Sequence, residues 1–311
     1  MPTSLKALEL FCGIGGFAAA AAQLNLQVVG ALDQSPAALA VYQLNFPDHG
    51  ARPTDLEKIS AAELAGFGAD LWWLSPPCQP YSVRGHRRDL SDPRARSLIH
   101  LLAVLPQIPE DRLPCHLAVE NVAGFAGSQA RELLVGLLAE RGYQLRERLL
   151  CPTELGVPSR RSRYYLIASR AGLAPPRPSA RLPLRWLRSF LEPALDDAPP
   201  VALLVPREQL ARFGPGLRIL DPADPAAYTT CFTAGYGKSL MHAGSYLHCK
   251  GGVRRFAPVE IARLLGFPEA YCFPEMLPLR KRWHLLGNSL SVTAVREVLR
   301  ELPGIEDGFS G

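Results

Sequence analysis

The sequence predicts an α/β fold, because three strand-like apolar segments are each followed directly by residues that can do chemistry. Lys6 to Phe11 runs into the glycine turn C-G-I-G-G, and an alanine-rich helical segment, Phe17 to Leu24, comes next. Leu71 to Leu74 is wholly apolar, and His116 to Val119 has the same buried character. Open α/β sheets place their ligands at the carboxyl ends of their strands, so we expect the functional residues to follow these segments.

The glycine turn has the pattern F-x-G-x-G-G, in which glycines let a ligand approach the backbone. It differs from the dinucleotide pattern G-x-G-x-x-G. A further strand, Val28 to Leu32, ends in Asp33, which lies 22 residues after Phe11, an offset at which a carboxylate can bind ribose hydroxyls. Together these features predict a nucleoside-bearing cofactor, with plain strand–helix packing as the alternative. Asp55 either contacts the adenine of that cofactor or caps a helix that follows it.

Cys78 and Glu120 each lie close to the end of a predicted strand. Cys78 follows Leu71 to Leu74 in the sequence S-P-P-C-Q-P-Y-S, where two prolines end the strand. A thiol on such a stiff turn can act as a nucleophile if its pKa is lowered, whereas an ordinary cysteine is a small buried hydrophobe. Glu120 follows His116 to Val119, where a carboxylate is costly unless it is paired or used. We interpret the two residues as a catalytic pair on neighbouring strand ends, with a solvated strand-end glutamate as the alternative.

Arginine dominates the basic residues of the chain, with 29 arginines and five lysines behind a formal net charge of +5. The arginines cluster at 84–96, 160–163, 177–188, 254–263 and 280–282. This clustering favours a polyanionic partner, with genome base composition as the alternative. In the sequence S-R-R-S-R, Arg161 and Arg163 alternate ahead of the predicted strand Tyr164 to Ser169, so both can point at one site.

The composition excludes several other classes of protein. With 311 residues, 48% hydrophobic and 20% charged, the chain can bury a good core. It has no apolar run of the roughly 18 residues that a membrane span needs and no signal-like N-terminus, so we expect a cytoplasmic protein. Its seven cysteines are scattered without a C-x-x-C pair, which argues against a disulfide framework and against a metal site. The glycine pattern likewise disfavours an NAD oxidoreductase.

The domain organisation is predicted from a change in character after residue 173. From Ala174 to about Pro225 prolines become dense and the hydrophobic periodicity is poor. We predict a catalytic domain over 1–173, a smaller inserted lobe over 174–255, and a segment 256–311 that returns to the first domain. The final predicted helix, Val292 to Leu302, would pack there.

Five motifs taken in order resemble those of the cytosine-5 methyltransferases: F-x-G-x-G-G, P-P-C-Q, E-N-V, R-x-R and G-N-S. The resemblance spans Leu8 to about Val298. The longer segments P-P-C-Q-P-Y-S, C-F-T-A-G-Y-G, E-I-A-R-L-L-G-F-P and L-L-G-N-S-L-S-V are similar to the branch that methylates transfer RNA. Ser159 departs from the wider family, in which many relatives have glutamine, and this puts the contact at that position in doubt.

This resemblance implies a Rossmann-like class I SAM-dependent methyltransferase domain with a small target-recognition lobe. It implies S-adenosyl-L-methionine as the cofactor and tRNA as the partner, with cytosine 38 in the anticodon loop of aspartate tRNA as the target. It assigns catalysis to Cys78, to Glu120 as a protonated acid with a raised pKa, and to Arg161 and Arg163. The cofactor contacts it implies are Phe11, Gly13, Ile14, Gly15, Gly16, Asp33, Gln34, Asp55, Pro77, Asn288 and Ser289. The substrate contacts are Gln79, Ser82, Arg84, Arg88, Asn121, Cys231, Phe232 and Thr233, with the loop 84–96 closing over the base.

Two alternatives remain open from the sequence. A DNA cytosine-5 methyltransferase shares every catalytic residue, although the lobe from about 174 to 255 is short for reading a major groove. A binding module that keeps the fold and the cofactor without turnover is disfavoured by the intact Cys78 and Glu120. We expect a monomer with neither a metal nor a membrane partner.

Overall fold

Ten strands and ten α-helices lie in the part of the chain that this computed structural model describes, residues 4–82, 87–176 and 181–308. The strands are β1 (Leu5–Leu10), β2 (Leu26–Asp33), β3 (Ala51–Pro53), β4 (Leu71–Leu74), β5 (His116–Val122), β6 (Gln144–Leu150), β7 (Arg163–Ser169), β8 (Arg218–Leu220), β9 (Ser245–Cys249) and β10 (Gly252–Arg255). The helices are α1 (Gly16–Ala21), α2 (Pro36–Asn45), α3 (Ala61–Gly66), α4 (Arg96–Val104), α5 (Gln129–Glu140), α6 (Ala194–Asp197), α7 (Arg207–Phe213), α8 (Pro258–Leu265), α9 (Leu279–Asn288) and α10 (Val292–Leu299). The chain divides into a first unit, Met1–Leu150, Ser162–Ser179 and Ala294–Gly311, and a second unit, Cys151–Arg161 and Ala180–Thr293.

A seven-stranded sheet with the order β3-β2-β1-β4-β5-β7-β6 forms the centre of the first unit. Its first five strands pair in parallel, whereas β7 is antiparallel to both β5 and β6. The carboxyl ends of β1, β2, β4 and β5 therefore open on the same edge, which we call the carboxyl edge. The glycine turn, Asp33, Cys78 and Glu120 all lie at or near this edge, where open α/β sheets place their ligands.

The central strands are buried on both faces, and this packing holds the carboxyl edge in place. All four side chains of β4 are at most 3% exposed, and the ring of Trp73 stacks on Phe17 at 5.3 Å between centroids. Such doubly covered parallel strands need continuous apolar runs, which explains why β1 and β4 were recognisable in the sequence. Glu9 is the exception, since its carboxyl group lies inside β1 and is 1% exposed.

The observed strand bounds correct two details of the sequence interpretation. β5 continues to Val122, so Glu120 lies within the strand, opposite Tyr165 of β7, and does not follow its end. β7 begins at Arg163, so Arg161 is not a strand residue and the alternation predicted for the two arginines is wrong. The start of a strand is set by its hydrogen-bonded partner, which periodicity alone does not reveal.

The second unit contains a small sheet of order β10-β9-β8, in which β9 and β10 form an antiparallel pair and β8 runs parallel to β9. Its core is aromatic, with Tyr236 contacting the rings of Phe232, Tyr246 and Trp283 at 5.0–5.6 Å. Compactness does not assign a function to either unit, so the predicted catalytic and recognition segments stay a prediction. None of the described helices is long and apolar enough to cross a membrane.

Candidate active site

The glycine turn between β1 and α1 is built from three left-handed residues. Phe11, Gly13 and Gly15 have φ of 59°, 53° and 84°. A Cβ atom on Gly15 would lie 2.6 Å from the ring of Phe46, so this glycine is required for packing. A Cβ atom on Gly13 would meet no atom within 4 Å, which leaves open space beside the backbone there. The turn therefore combines a fixed path with room for a ligand to approach.

Asp33 joins the end of β2 to this turn. Its Oδ2 accepts the N–H of Gly13 at 2.9 Å and its Oδ1 accepts the N–H of Ser35 at 2.8 Å. Burial raises the pKa of Asp33, opposed by these backbone bonds. Each carboxylate oxygen keeps a further lone pair for a hydroxyl donor. Gln34, the next residue, is exposed.

Asp55 is occupied by local contacts. Its Oδ1 accepts the N–H of Glu57 at 3.1 Å, and its Oδ2 lies 3.0 Å from Nζ of Lys58, whose hydrogen bond lowers the pKa of Asp55. The side chain closes a turn, because the next helix begins at Ala61 and is capped by Ser60. This geometry is closer to the capping alternative than to the adenine contact, which stays a prediction.

Cys78 lies on the turn after β4, partly exposed and just before the 3-10 segment Gln79–Tyr81. Asn121 of β5 holds this turn, since its Nδ2 donates to the carbonyl of Pro76 at 3.1 Å. The Oδ1 of Asn121 accepts the N–H of Val122, and the residue is 1% exposed. The buried amide of Asn121 thus positions the cysteine turn, and its predicted contact with the substrate stays a prediction.

A second contact between the same two segments lies at Gly124. A Cβ atom on Gly124 would stand 2.3 Å from the carbonyl oxygen of Tyr81. The ring of Tyr81 packs edge-on against Phe125 with 4.7 Å between centroids. The turn that carries Cys78 and the segment that follows β5 are thus in direct backbone contact.

Glu120 forms an ion pair with Arg163. Oε1 of Glu120 lies 3.3 Å from Nε of Arg163, and the two side chains are 11% and 14% exposed. A carboxylate that is so little exposed is costly unless it is paired, and Arg163 supplies the partner. The predicted role of Glu120 as a protonated acid stays a prediction.

Arg161 makes its contacts within the second unit. Its guanidinium donates to Sγ of Cys231 at 3.2 Å and to the carbonyl of Phe232 at 3.1 Å. It also donates to the carbonyls of Gly287, at 3.3 Å, and Ser289. Arg161 therefore ties the C-F-T motif to the G-N-S motif, and these donors are used by the protein.

The remaining predicted contacts of the second unit lie around this arginine. Phe232 is buried, and the N–H of Thr233 donates to the carbonyl of Ala243. The Nδ2 of Asn288 lies 3.3 Å from Nε2 of His284, and Asn288 is exposed. Their predicted roles towards cofactor and substrate stay predictions.

The segment after Cys78 holds the other predicted substrate contacts. Ser82 Oγ donates to the carbonyl of Gln79 at 3.2 Å, and Arg88 is exposed. Arg84 lies outside the described residues. Nη2 of Arg94 pairs with Asp92 at 2.7 Å, and the pKa of Arg94 is raised mainly by that bond, with a smaller contribution from Cys78. Arg94 lies within the arginine cluster 84–96 of the sequence.

Comparison with known proteins identifies the family. A family model described as C-5 cytosine-specific DNA methylase matches residues 5–188. The chain belongs to this family. A methylase relative from Bos taurus, named tRNA (cytosine(38)-C(5))-methyltransferase, is 30% identical over 96% of this chain and 99% of its own length. A relative of the same name from Schizosaccharomyces pombe is 32% identical over 94% of each chain, and the crystal structure of S. pombe Dnmt2 methyltransferase matches with TM-score 0.84 at 29% identity, over 95% of this chain and 96% of that one.

This methylase has the mixed α/β fold of class I SAM-dependent methyltransferases, with a mostly parallel seven-stranded sheet. Family and fold imply that it uses S-adenosylmethionine. The first unit fits such a group, because an open turn at Gly13 lies beside a half-buried carboxyl group, Asp33, with acceptor capacity left. The residues present thus fit the adenosine part of the cofactor.

Glu9 is a feature of this methylase that the sequence interpretation passed over. Its Oε2 accepts the hydroxyl of Tyr42 at 2.9 Å. Burial raises the pKa of Glu9 to about 8, against the hydrogen bond from Tyr42 and with a further rise from Asp33. An acidic residue inside the apolar run K-A-L-E-L-F was the signal that could have revealed it.

Proposed function

We propose that the protein methylates carbon 5 of a cytosine in RNA, and that its target is cytosine 38 in the anticodon loop of aspartate tRNA. The observation that supports the chemistry is the joining of the Cys78 turn to the end of β5 through Asn121 and Gly124, with Glu120 paired to Arg163 beside it. The choice of RNA is supported by near full-length similarity to relatives named for that reaction. For an enzyme with this substrate, we continue to expect a cytoplasmic location and a monomeric state.

Cytosine carbon 5 is too weak a nucleophile to take a methyl group directly. In the proposed reaction the thiolate of Cys78 bonds to carbon 6 and makes carbon 5 enamine-like. A proton delivered by Glu120 to ring nitrogen 3 neutralises the charge that this attack creates. Once carbon 5 carries the methyl group, ring nitrogen 3 returns its proton to Glu120, and loss of the carbon 5 proton to a base restores the double bond and releases Cys78 as the thiolate.

The cofactor would be held at the glycine turn, with Asp33 on its ribose hydroxyls. When bound, S-adenosylmethionine supplies the electrophilic methyl group. Arg163 would keep Glu120 in place. The finer list of cofactor contacts, from Phe11 to Ser289, belongs to this proposal.

The charge distribution supports a nucleic-acid substrate. The second unit contains 16 basic and 10 acidic residues, a net charge of +6, whereas the first contains 18 basic and 19 acidic residues, a net charge of −1. RNA recognition favours unstacked loop bases, and a base in a loop is less costly to extrude than one in a duplex.

The proposal is tested by incubating the protein with methyl-labelled S-adenosylmethionine and either total tRNA or genomic DNA. Label is expected in tRNA, at 5-methylcytosine, and no label is expected with Cys78→Ala, whose cofactor affinity should stay within a few-fold. Glu120→Gln should lose about two orders of magnitude or more in rate. Labelling of DNA alone would support the DNA methyltransferase alternative, and turnover by Cys78→Ala would remove the covalent step.

A further inference from the structure

A strip of exposed apolar and basic side chains lies on the second unit at residues 181–188, and we call it the Trp186 strip. Leu182, Leu184 and Trp186 are among the most exposed large hydrophobic residues, at 54%, 38% and 46%. The exposed charged residues within the strip are Arg181, Arg185 and Arg188. The sequence therefore displays rings, aliphatic groups and guanidinium groups on one short segment.

The backbone of the strip is held firmly, so its exposure is not that of a loose loop. The N–H of Leu182 donates to the carbonyl of Glu154 at 3.0 Å, and the N–H of Arg185 donates to the carbonyl of Gly156 at 2.8 Å. Leu187 is fully buried and anchors the segment just after Trp186. A fixed backbone presents Trp186 to solvent at little further entropic cost on binding.

Arginines accompany the aromatic rings of this region. The guanidinium carbon of Arg185 lies 4.4 Å from the ring centroid of Phe190, and that of Arg188 lies 6.0 Å from the ring of Trp186. Of the seven such contacts among the described residues, six lie in the second unit. Rings interleaved with guanidinium groups are the features with which proteins bind single-stranded nucleic acid.

The charges on the strip discriminate between possible partners. The sequence from 181 to 191 contains three arginines and no carboxylate, and the next acid, Glu192, pairs with Arg263 at 3.1 Å. A segment with three arginines and no carboxylate of its own, beside an exposed ring, suits phosphate and base together, and it suits a second copy of this basic chain poorly.

We propose that the Trp186 strip is an RNA-binding surface separate from the residues that act on the target cytosine. An unpaired base stacks on Trp186, and Arg185 and Arg188 bind the phosphates that flank it. This inference rests on the proposed function, because it takes RNA as the substrate, but it concerns residues to which the reaction assigns no part.

Trp186 can be observed directly, since the other three tryptophans, Trp72, Trp73 and Trp283, are at most 5% exposed. Titration with an anticodon stem-loop RNA should quench the intrinsic fluorescence and protect it from acrylamide. Trp186→Ala should raise the Kd for that RNA about tenfold, as expected for loss of one stacked base, and Trp186→Phe should recover most of the affinity. Met276→Ala is the matched control, because Met276 is 93% exposed in the same unit and should bind normally.

Salt dependence separates the two parts of the strip. Replacing Arg185 and Arg188 by alanine should lower the slope of log Kd against log salt by about 1.4, or about 0.7 for each phosphate contact, whereas Trp186→Ala should leave the slope unchanged. If the native protein binds no RNA, the proposed function fails. If it binds RNA but Trp186→Ala binds equally well, only the strip is refuted. Sedimentation that shows self-association lost in Trp186→Ala would also overturn it.

Discussion

At the scale of single residues, three carboxyl groups of the first unit are each held by a defined hydrogen-bonding or charged partner. Glu120 has Arg163 as a partner, Asp33 has two backbone donors, and Glu9 has the hydroxyl of Tyr42 in a fully buried position. The first two lie at the carboxyl edge, where a ligand can complete their contacts. Glu9 is buried within β1, so its protonation affects the free energy of unfolding.

The raised pKa of Glu9 predicts a dependence of stability on pH. The folded-state pKa is about 8 and the reference value is 4.5, so the folded state holds the proton over this interval while the unfolded state releases it. The free energy of unfolding should therefore fall as pH rises from about 4.5 to 8, by up to about 1.4 kcal/mol per pH unit.

Glu9→Gln removes this titration and keeps an acceptor for Tyr42. Denaturant unfolding from pH 5 to 9 should give the variant a shallower loss of stability than the native protein. Glu140→Gln, a change at an exposed helix position, should reproduce the native slope. A slope unchanged by Glu9→Gln would show that Glu9 is ionised in the folded protein at neutral pH.

The sequence predicted individual residues of the candidate site better than it predicted which side chains contact one another. Cys78, Glu120 and Asp33 were recognisable because each lies close to the end of an apolar segment. The pairing of Glu120 with Arg163, and the separate contacts of Arg161, depend on where β7 begins. The bond from the amide of Asn121 to the carbonyl of Pro76 could not be predicted, because a side-chain amide gives no indication in sequence of whether it faces a ligand or a carbonyl.

At the scale of elements, the position of the Cys78 turn depends on its contact with the segment Ala123–Gly127 after β5. The two backbones approach so closely that a Cβ atom on Gly124 would lie 2.3 Å from the carbonyl oxygen of Tyr81. Gly124→Ala should push the turn away and lower the rate of methyl transfer by at least about tenfold, since displacements near 1 Å can cost a hundredfold.

Gly127 offers a matched control in the same segment, because a Cβ atom there would meet nothing within 4 Å. Gly127→Ala should retain native kinetics. Gly124→Ala should reduce kcat while binding cofactor within a few-fold of native, because the glycine turn follows a different strand. Equal rates for the two variants would show that the cysteine turn tolerates the displacement.

At the scale of the whole molecule, charge is divided unequally between the units. The formal total of +5 conceals a second unit of +6 and a first unit of −1. The sequence predicted a polyanionic partner from arginine clusters. The sequence did not reveal that the two units differ in charge. Residues 151–161 belong to the same unit as residues 180–293, although residues 162–179 separate them along the chain. The sequence shows the order of the charges along the chain, whereas a binding partner contacts charges that folding has brought together.

This division predicts that charge reversals of equal size act unequally on tRNA binding. Arg207→Glu in α7 of the second unit and Arg112→Glu in the first unit each lower the net charge by two at an exposed position. At low ionic strength Arg207→Glu should weaken tRNA binding by about threefold or more, and Arg112→Glu by clearly less, because the long-range field that attracts RNA originates in the second unit. The difference should shrink as salt approaches 1 M, where charges are screened within about 3 Å. Equal effects at every salt concentration would mean that RNA senses only the net charge, and the second unit would lose its distinction as the basic surface.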